Sequence, residues 1–95
     1  MTDLFSPIEL KARQILRDAQ ADDAKWSPGR AIVLNTFRAM WANSLPATKV
    51  AEIGNAMESC NASVEAFKPI LTALVREKVL RSRRSGGETL YEINY

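Results

Sequence analysis

Residues 45–95 read LPATKVAEIGNAMESCNASVEAFKPILTALVREKVLRSRRSGGETLYEINY, and the order of signals in this stretch decides the fold. Thr48 can cap a helix in which Val50, Ile53, Met57 and Cys60 recur at three- and four-residue intervals on one face. That spacing places Cys60 in the core. Asn61 can take the left-handed conformation that ends a helix and Ser63 can cap the next one at once, which predicts a turn of about three residues. From Val64 to about Lys78, Phe67, Ile70, Leu71, Leu74 and Val75 form the inward face, while Glu65, Pro69, Thr72 and Arg76 point away with Lys68 beside them. Pro69 removes the hydrogen bond to the Glu65 carbonyl and predicts a kink in this helix, not a break.

Two strands follow, over 79–84 and 88–94, and Ser85-Gly86-Gly87 supplies the positive backbone angles of a tight hairpin turn. Tyr91, Ile93 and Tyr95 alternate with Leu90, Glu92 and Asn94, so the returning strand has one apolar face for the helices. Arg81, Arg83 and Arg84 crowd the flank of the turn. Such a cluster predicts an anionic partner.

Upstream, Leu45-Pro46-Ala47 is extended, because a residue before proline avoids the helical region. Ser27-Pro28 opens a helix to about Asn43, with Val33, Leu34, Phe37, Met40 and Trp41 along its core side. The first helix starts at Ser6-Pro7-Ile8-Glu9, a cap, a first-position proline and a capping-box glutamate, with Phe5 and Leu10 spaced as a hydrophobic staple. Ile8, Ala12, Ile15, Leu16 and Ala19 make one apolar stripe on it. Residues 22–27, beginning with Asp22-Asp23, read as a connector.

The 95 residues, 46% hydrophobic, suit one domain with a modest core. No apolar run approaches the roughly 20 residues of a membrane span, and MTDLFSPIEL lacks the basic and apolar regions of a signal peptide. A cytoplasmic location follows as the expectation, consistent with a lone cysteine, Cys60, and with reading Asn61-Ala62-Ser63 as a coincidental sequon. The net charge is only +2, but from Lys68 to Arg84 six Lys or Arg face one acid, Glu77, while Asp18, Asp22 and Asp23 gather near the end of the first helix. Anion binding must therefore come from placement and not from total charge. The sequence has no histidine, no phosphate-cradling glycine loop, no cysteine pair for zinc and no carboxylate pair suited to a pocket. A non-enzymatic chain without metal or cofactor is expected.

Leu45–Tyr95 resembles the winged helix-turn-helix superfamily, including the MarR-like and related small regulators. The likeness covers about half the chain, or two thirds if the Pro28–Asn43 helix is counted, and is most specific from Ser63-Val64-Glu65-Ala66-Phe67 through Leu74 to Val79-Leu80-Arg81-Ser82-Arg83. Lys78 departs from the pattern, since many relatives have glycine there, and the preceding helix is longer. The resemblance implies a mostly α, α+β winged helix over 27–95, extended by an N-terminal helix in 1–26. It implies sequence-specific binding of double-stranded DNA by a dimeric transcriptional regulator or by a DNA-partitioning or replication accessory protein. Winged helices also serve as protein-interaction modules in larger assemblies, which is the alternative. Carried onto this chain, Glu65, Ala66, Lys68, Pro69, Thr72 and Arg76 would face the major groove, and Arg81, Arg83 and Arg84 the phosphates or minor groove. Ile8, Ala12, Ile15, Leu16 and Ala19 would face a second copy. A single basic face formed by Lys68 and the hairpin arginines favours DNA, and a face divided by Glu65 and Glu88 favours a protein.

Overall fold

Each helix begins where the sequence offers a stop for its unpaired amides. A computed structural model describes residues 6–95, so Phe5 of the expected staple lies outside the described residues. Helix α1 (Pro7–Gln20) is capped by the Ser6 hydroxyl, which accepts from the Glu9 amide at 3.1 Å. A 3₁₀ turn (Asp23–Lys25) leads to α2 (Pro28–Ala39), capped in the same way by Ser27. Strand β1 (Leu45–Pro46), α3 (Ala47–Glu58), α4 (Val64–Arg76), β2 (Leu80–Ser85) and β3 (Glu88–Ile93) follow. The sheet is antiparallel in the order β1-β3-β2, with Leu45 opposite Tyr91 and Leu80 opposite Ile93.

One hydrophobic core joins every helix to the sheet. Phe37 from α2, Val50 from α3, Phe67, Leu71 and Leu74 from α4, and Leu80 and Ile93 from the hairpin are all essentially inaccessible. Ala12, Leu16 and Ala19 of α1 belong to the same core. Helices α2 and α3 approach closely at Gly54, where an added Cβ would lie 2.8 Å from the Ile32 side chain and 3.2 Å from the Thr36 hydroxyl. Thr36 is buried at no cost in hydrogen bonding, because its hydroxyl donates to the Ile32 carbonyl at 2.8 Å.

Several expectations need correction. Helix α2 stops at Ala39, short of Asn43, and Met40 and Trp41 instead pack half-buried in the turn that follows. Thr48 caps nothing, since α3 starts one residue earlier behind Pro46 without a side-chain cap. The buried face of α3 is Val50, Ala51 and Gly54, so Met57 and Cys60, at and beyond its last turn, are exposed. The helix ends with Ser59 in the left-handed conformation at φ 52°, two residues before Asn61. The turn into α4 is then five residues, 59–63, and Asn55 closes it. Its side-chain amide donates to the Ala62 carbonyl at 2.8 Å and its oxygen accepts from the Ala62 amide at 3.0 Å. The Cys60 thiol donates to that same oxygen at 3.0 Å.

Helix α4 runs from Val64 through Pro69 to Arg76 as one element. It ends through Lys78, which adopts φ 65°. The glycine usual in the resembled family is the residue that takes this conformation without strain, and lysine does so here at a cost. The hairpin turn is Gly86-Gly87, both with positive φ (58° and 81°), as a two-residue turn matched to strand twist requires.

Candidate nucleic-acid interface

Burial of Phe67, Leu71 and Leu74 fixes the rotation of α4 about its axis. The opposite face then presents Glu65, Ala66, Lys68, Pro69, Thr72 and Arg76, all exposed. Lys68, Thr72 and Arg76 are each four residues apart and form one row. Lys68 is not free: its ammonium lies 3.1 Å from the Glu65 carboxylate. Both side chains are more than half exposed, so the pair is weak and an incoming anion can exchange with the carboxylate. Arg76 has no partner among the described residues and is the open cation of the row.

The hairpin departs from expectation. Arg81 and Arg83 do not reach outward unpaired, because both grip Glu92 on the neighbouring strand. The Arg81 Nη2 and Nε atoms lie 2.8 and 2.9 Å from Glu92 Oε2, and Arg83 Nε donates to Oε1 at 2.9 Å. The Ser44 hydroxyl donates to the same Oε1 at 2.7 Å. Together, Ser44 first and then the two arginines, these donors hold the Glu92 carboxyl down at about 2, against the opposing effect of burial. Glu92 therefore stays ionised, and the anion sought for the arginines is supplied within the sheet.

Strand alternation also divides the three arginines. Arg81 and Arg83 share one face with Glu92 and Leu90, whereas Arg84 sits across from Thr89 on the face of Leu80 and Ile93 that covers the helices. Near the tip Arg84 donates to the Thr89 hydroxyl at 3.1 Å and to the Gly87 carbonyl at 3.2 Å. The three do not act as one cluster.

A residue absent from the expected site anchors the far end of α4. Arg30, only 7% exposed at its side chain, forms a two-pronged clamp on Glu77 at 3.0 and 2.9 Å and donates to the Ala19 carbonyl at 3.0 Å. It thereby links α2, the last turn of α1 and the C-terminal end of α4. The bond from Arg30 is the first cause of the lowered Glu77 pKa, with Lys25, 3.6 Å away, adding to it. The sequence did carry a signal for this clamp. Arg30 lies on the arc of Val33, Leu34 and Phe37, the buried side of α2, and an arginine there requires a carboxylate partner.

The stripe assigned to a second copy is largely used inside the chain. Ala12, Leu16 and Ala19 are buried against the chain's own core and Ile15 is half-buried, which leaves Ile8 exposed, with Leu10 outside the stripe. A surface already covered cannot serve as an interface without opening the domain.

Among the described residues no helix is long and apolar enough to cross a membrane. The sequence matches no protein-family model and no curated protein. Among solved structures, the chain is similar to the ferric uptake regulator of Francisella tularensis, determined with iron, at 14% identity and a TM-score of 0.65. The match covers 74% of this chain and 53% of that one, so the present chain spans about half of its length. With four α-helices and a three-stranded antiparallel sheet ending in the β2–β3 hairpin among the described residues, the chain has the α+β winged-helix fold.

Proposed function

We propose that the chain binds double-stranded DNA as a transcription regulator, with the outward face of α4 in the major groove and the β2–β3 hairpin against the backbone. The observation that carries this reading is the uncovered row of Lys68, Thr72 and Arg76 on a helix whose other face is locked into the core. Lys68 can donate to guanine, Thr72 to several base edges, and Arg76 to a phosphate, while Ala66 and Pro69 offer shape and methyl contacts. Glu65 can accept from cytosine, at some expense in long-range attraction to the polyanion. Arg84 is the hairpin's most direct phosphate contact, because its present partners are neutral. Arg81 and Arg83 join only by exchanging Glu92 for phosphate.

Iron is named for the similar structure. This chain has no histidine, and among the described residues no three His, Cys, Asp or Glu side chains gather, so the described residues do not fit a bound iron.

The test is recovery of bound fragments from sheared genomic DNA, followed by a competition titration on the enriched sequence. Enrichment of a discrete site supports the reading, and retention of no fragment above a non-binding control overturns it. A second reading, a protein-interaction module, is favoured by one observation: Glu65 and Glu92 already pair with Lys68, Arg81 and Arg83 and cancel two of their three charges. Pairing of two copies remains part of the proposal, now resting on Ile8, the exposed end of the α1 stripe. Ile8→Asp is the suitable probe of it by light scattering, since Leu16 is a core residue.

A further inference from the structure

The two edges of the sheet are finished differently. In the order β1-β3-β2, strand β3 is paired on both sides, so β1 and β2 each leave one edge without a partner strand among the described residues. Strand β1 is two residues long and one of them is Pro46, which has no backbone donor, so it offers an incoming strand almost nothing. Strand β2 runs for six residues without a proline, and all but Leu80 are exposed.

The turn fixes which backbone groups of β2 point to the open edge. Ser85 and Glu88 flank the two-residue turn Gly86-Gly87 and so exchange hydrogen bonds, and bonded pairs then alternate down the antiparallel ladder. Arg83 and Arg81 therefore bond to β3, as does Val79, whose carbonyl accepts from the Asn94 amide at 3.0 Å. The amides and carbonyls of Ser82 and Arg84 face away from β3 and have no partner among the described residues.

Charge decides what can take this edge. Strand β2 carries Arg81, Arg83 and Arg84 and no acid, while Glu88 and Glu92 stand on β3, behind it. A second copy is disfavoured, because a two-fold pairing centred on Ser82 sets Arg81 against Arg83, and one centred on Arg83 or Arg84 sets that arginine against itself. Arginine on an edge guards a sheet against strands like its own. A nucleic-acid backbone would use the arginines and accept from the two amides, but it leaves both carbonyls without a donor. An extended acidic peptide satisfies donors and carbonyls alike. Consecutive residues of a strand point to opposite faces, as Arg83 and Arg84 do, so neighbouring carboxylates on an added strand reach one arginine each. Arg84 bonds only the neutral Thr89 hydroxyl and Gly87 carbonyl, and Arg81 and Arg83 share a single carboxylate, so each face has guanidinium donors left over. We propose that the open edge of β2 binds an extended acidic segment of another protein as a fourth strand, its backbone paired with Ser82 and Arg84 and its neighbouring carboxylates on Arg83 and Arg84. This goes beyond DNA binding and uses the edge of the hairpin instead of α4, so either can fail without the other.

The test is amide hydrogen exchange measured by NMR on the full chain, without DNA, using a blocked octapeptide, Thr-Val-Glu-Glu-Val-Glu-Glu-Thr, as probe. Two controls accompany it: the same peptide with glutamine for every glutamate, and the same peptide N-methylated at every residue, equal in charge but without a backbone donor. Without peptide the Ser82 and Arg84 amides should exchange fast and the Arg83 amide slowly. The acidic peptide should bind saturably and slow Ser82 and Arg84 at least about ten-fold, and neither control should do so at equal concentration. Arg83→Gln/Arg84→Gln should weaken the peptide at least about ten-fold. Ser82→Pro, which removes one edge donor and keeps all three arginines and the β2–β3 ladder, should weaken it as much. Protection of Ser82 and Arg84 equal to that of Arg83 without peptide overturns the proposal, because the edge is then covered. So does the absence of saturable binding, binding of either control as tight as that of the acidic peptide, or an unaltered affinity in either variant with a native circular-dichroism spectrum. Equal slowing of the two amides by an oligothymidylate of the same length overturns it in favour of nucleic acid.

Discussion

Two guanidinium–carboxylate clamps in this chain share one chemistry and differ in their access to water. The two carboxylates are alike, Glu77 at 21% and Glu92 at 17% exposed, but Arg30 on Glu77 is 7% exposed, whereas Arg81 and Arg83 on Glu92 are more than half exposed. Inside the fold a broken pair leaves a charge that water cannot reach, so the clamp commits α1, α2 and the end of α4 to one arrangement. On the sheet surface either arginine can trade the carboxylate for water or for another anion at little cost. The buried clamp fixes where the end of α4 stands. The exposed one keeps its arginines ordered and exchangeable.

The largest expected effect breaks the buried member of this pair. Glu77→Ala leaves Arg30 uncompensated and should cost about 3–5 kcal/mol of stability in denaturant unfolding. Replacing both partners with apolar residues, Arg30→Met/Glu77→Leu, should recover most of that loss, because no charge is then stranded. A loss below about 1 kcal/mol in the single variant would mean that the two clamps do not differ as described.

Acid addresses both clamps together. Glu92 titrates at about 2 in the fold against an ordinary 4.5, and Glu77 is also lowered. A depressed carboxylate contributes stability that is fully present above its unfolded pKa and is lost as the pH falls through the folded one. Thermal unfolding should therefore be level above about pH 5 and decline from about 4.5 toward 2. In Glu92→Gln the part of the decline below pH 4 should shrink, and a curve superimposable on the wild type would contradict the assignment of Glu92. Glu92→Gln at neutral pH forgoes the stability that its lowered pKa represents, an expected loss of about 1–3 kcal/mol. Its consequence for binding runs the other way, because releasing Arg81 and Arg83 should tighten non-specific DNA several-fold and steepen the salt dependence.

Lys78→Gly sharpens the comparison from the backbone side. It removes the left-handed strain just beyond Glu77 and should raise stability by about 0.5–1 kcal/mol, net of the entropy that glycine adds to the unfolded chain. The melting temperature should rise by a few degrees, and a fall would show that the lysine side chain holds something in place.

The helices and the hairpin were legible in the sequence because each is set by local signals. Ser6-Pro7, Ser27-Pro28 and Gly86-Gly87 act within a few residues of themselves, and the spacing of Phe67, Leu71 and Leu74 fixes the face of α4. What was not legible depends on contacts between elements far apart in the chain. Cys60 continues the periodicity of α3 but falls beyond its last turn, so it never reaches the core. The stripe of α1 looked unpartnered because nothing local shows that α2 covers it. Glu92 lies eleven residues from Arg81 and nine from Arg83 and meets them only through the β2–β3 register. Charge counted along the sequence therefore overstated the free basic surface of the hairpin. Lys78 was legible as an oddity, and its φ of 65° supplies the reason.

The proposed DNA binding depends most on the outward face of α4, and one measurement addresses it directly. Fluorescence anisotropy with the enriched duplex and with random duplex, from low to moderate salt, should give affinity that falls linearly on logarithmic axes. Lys68→Ala should then cost about 1–3 kcal/mol on the enriched site and much less on random DNA, while Arg76→Ala should weaken both alike. Full-length wild-type chain with a native circular-dichroism spectrum that shows no saturable, salt-dependent binding to any duplex would contradict the account.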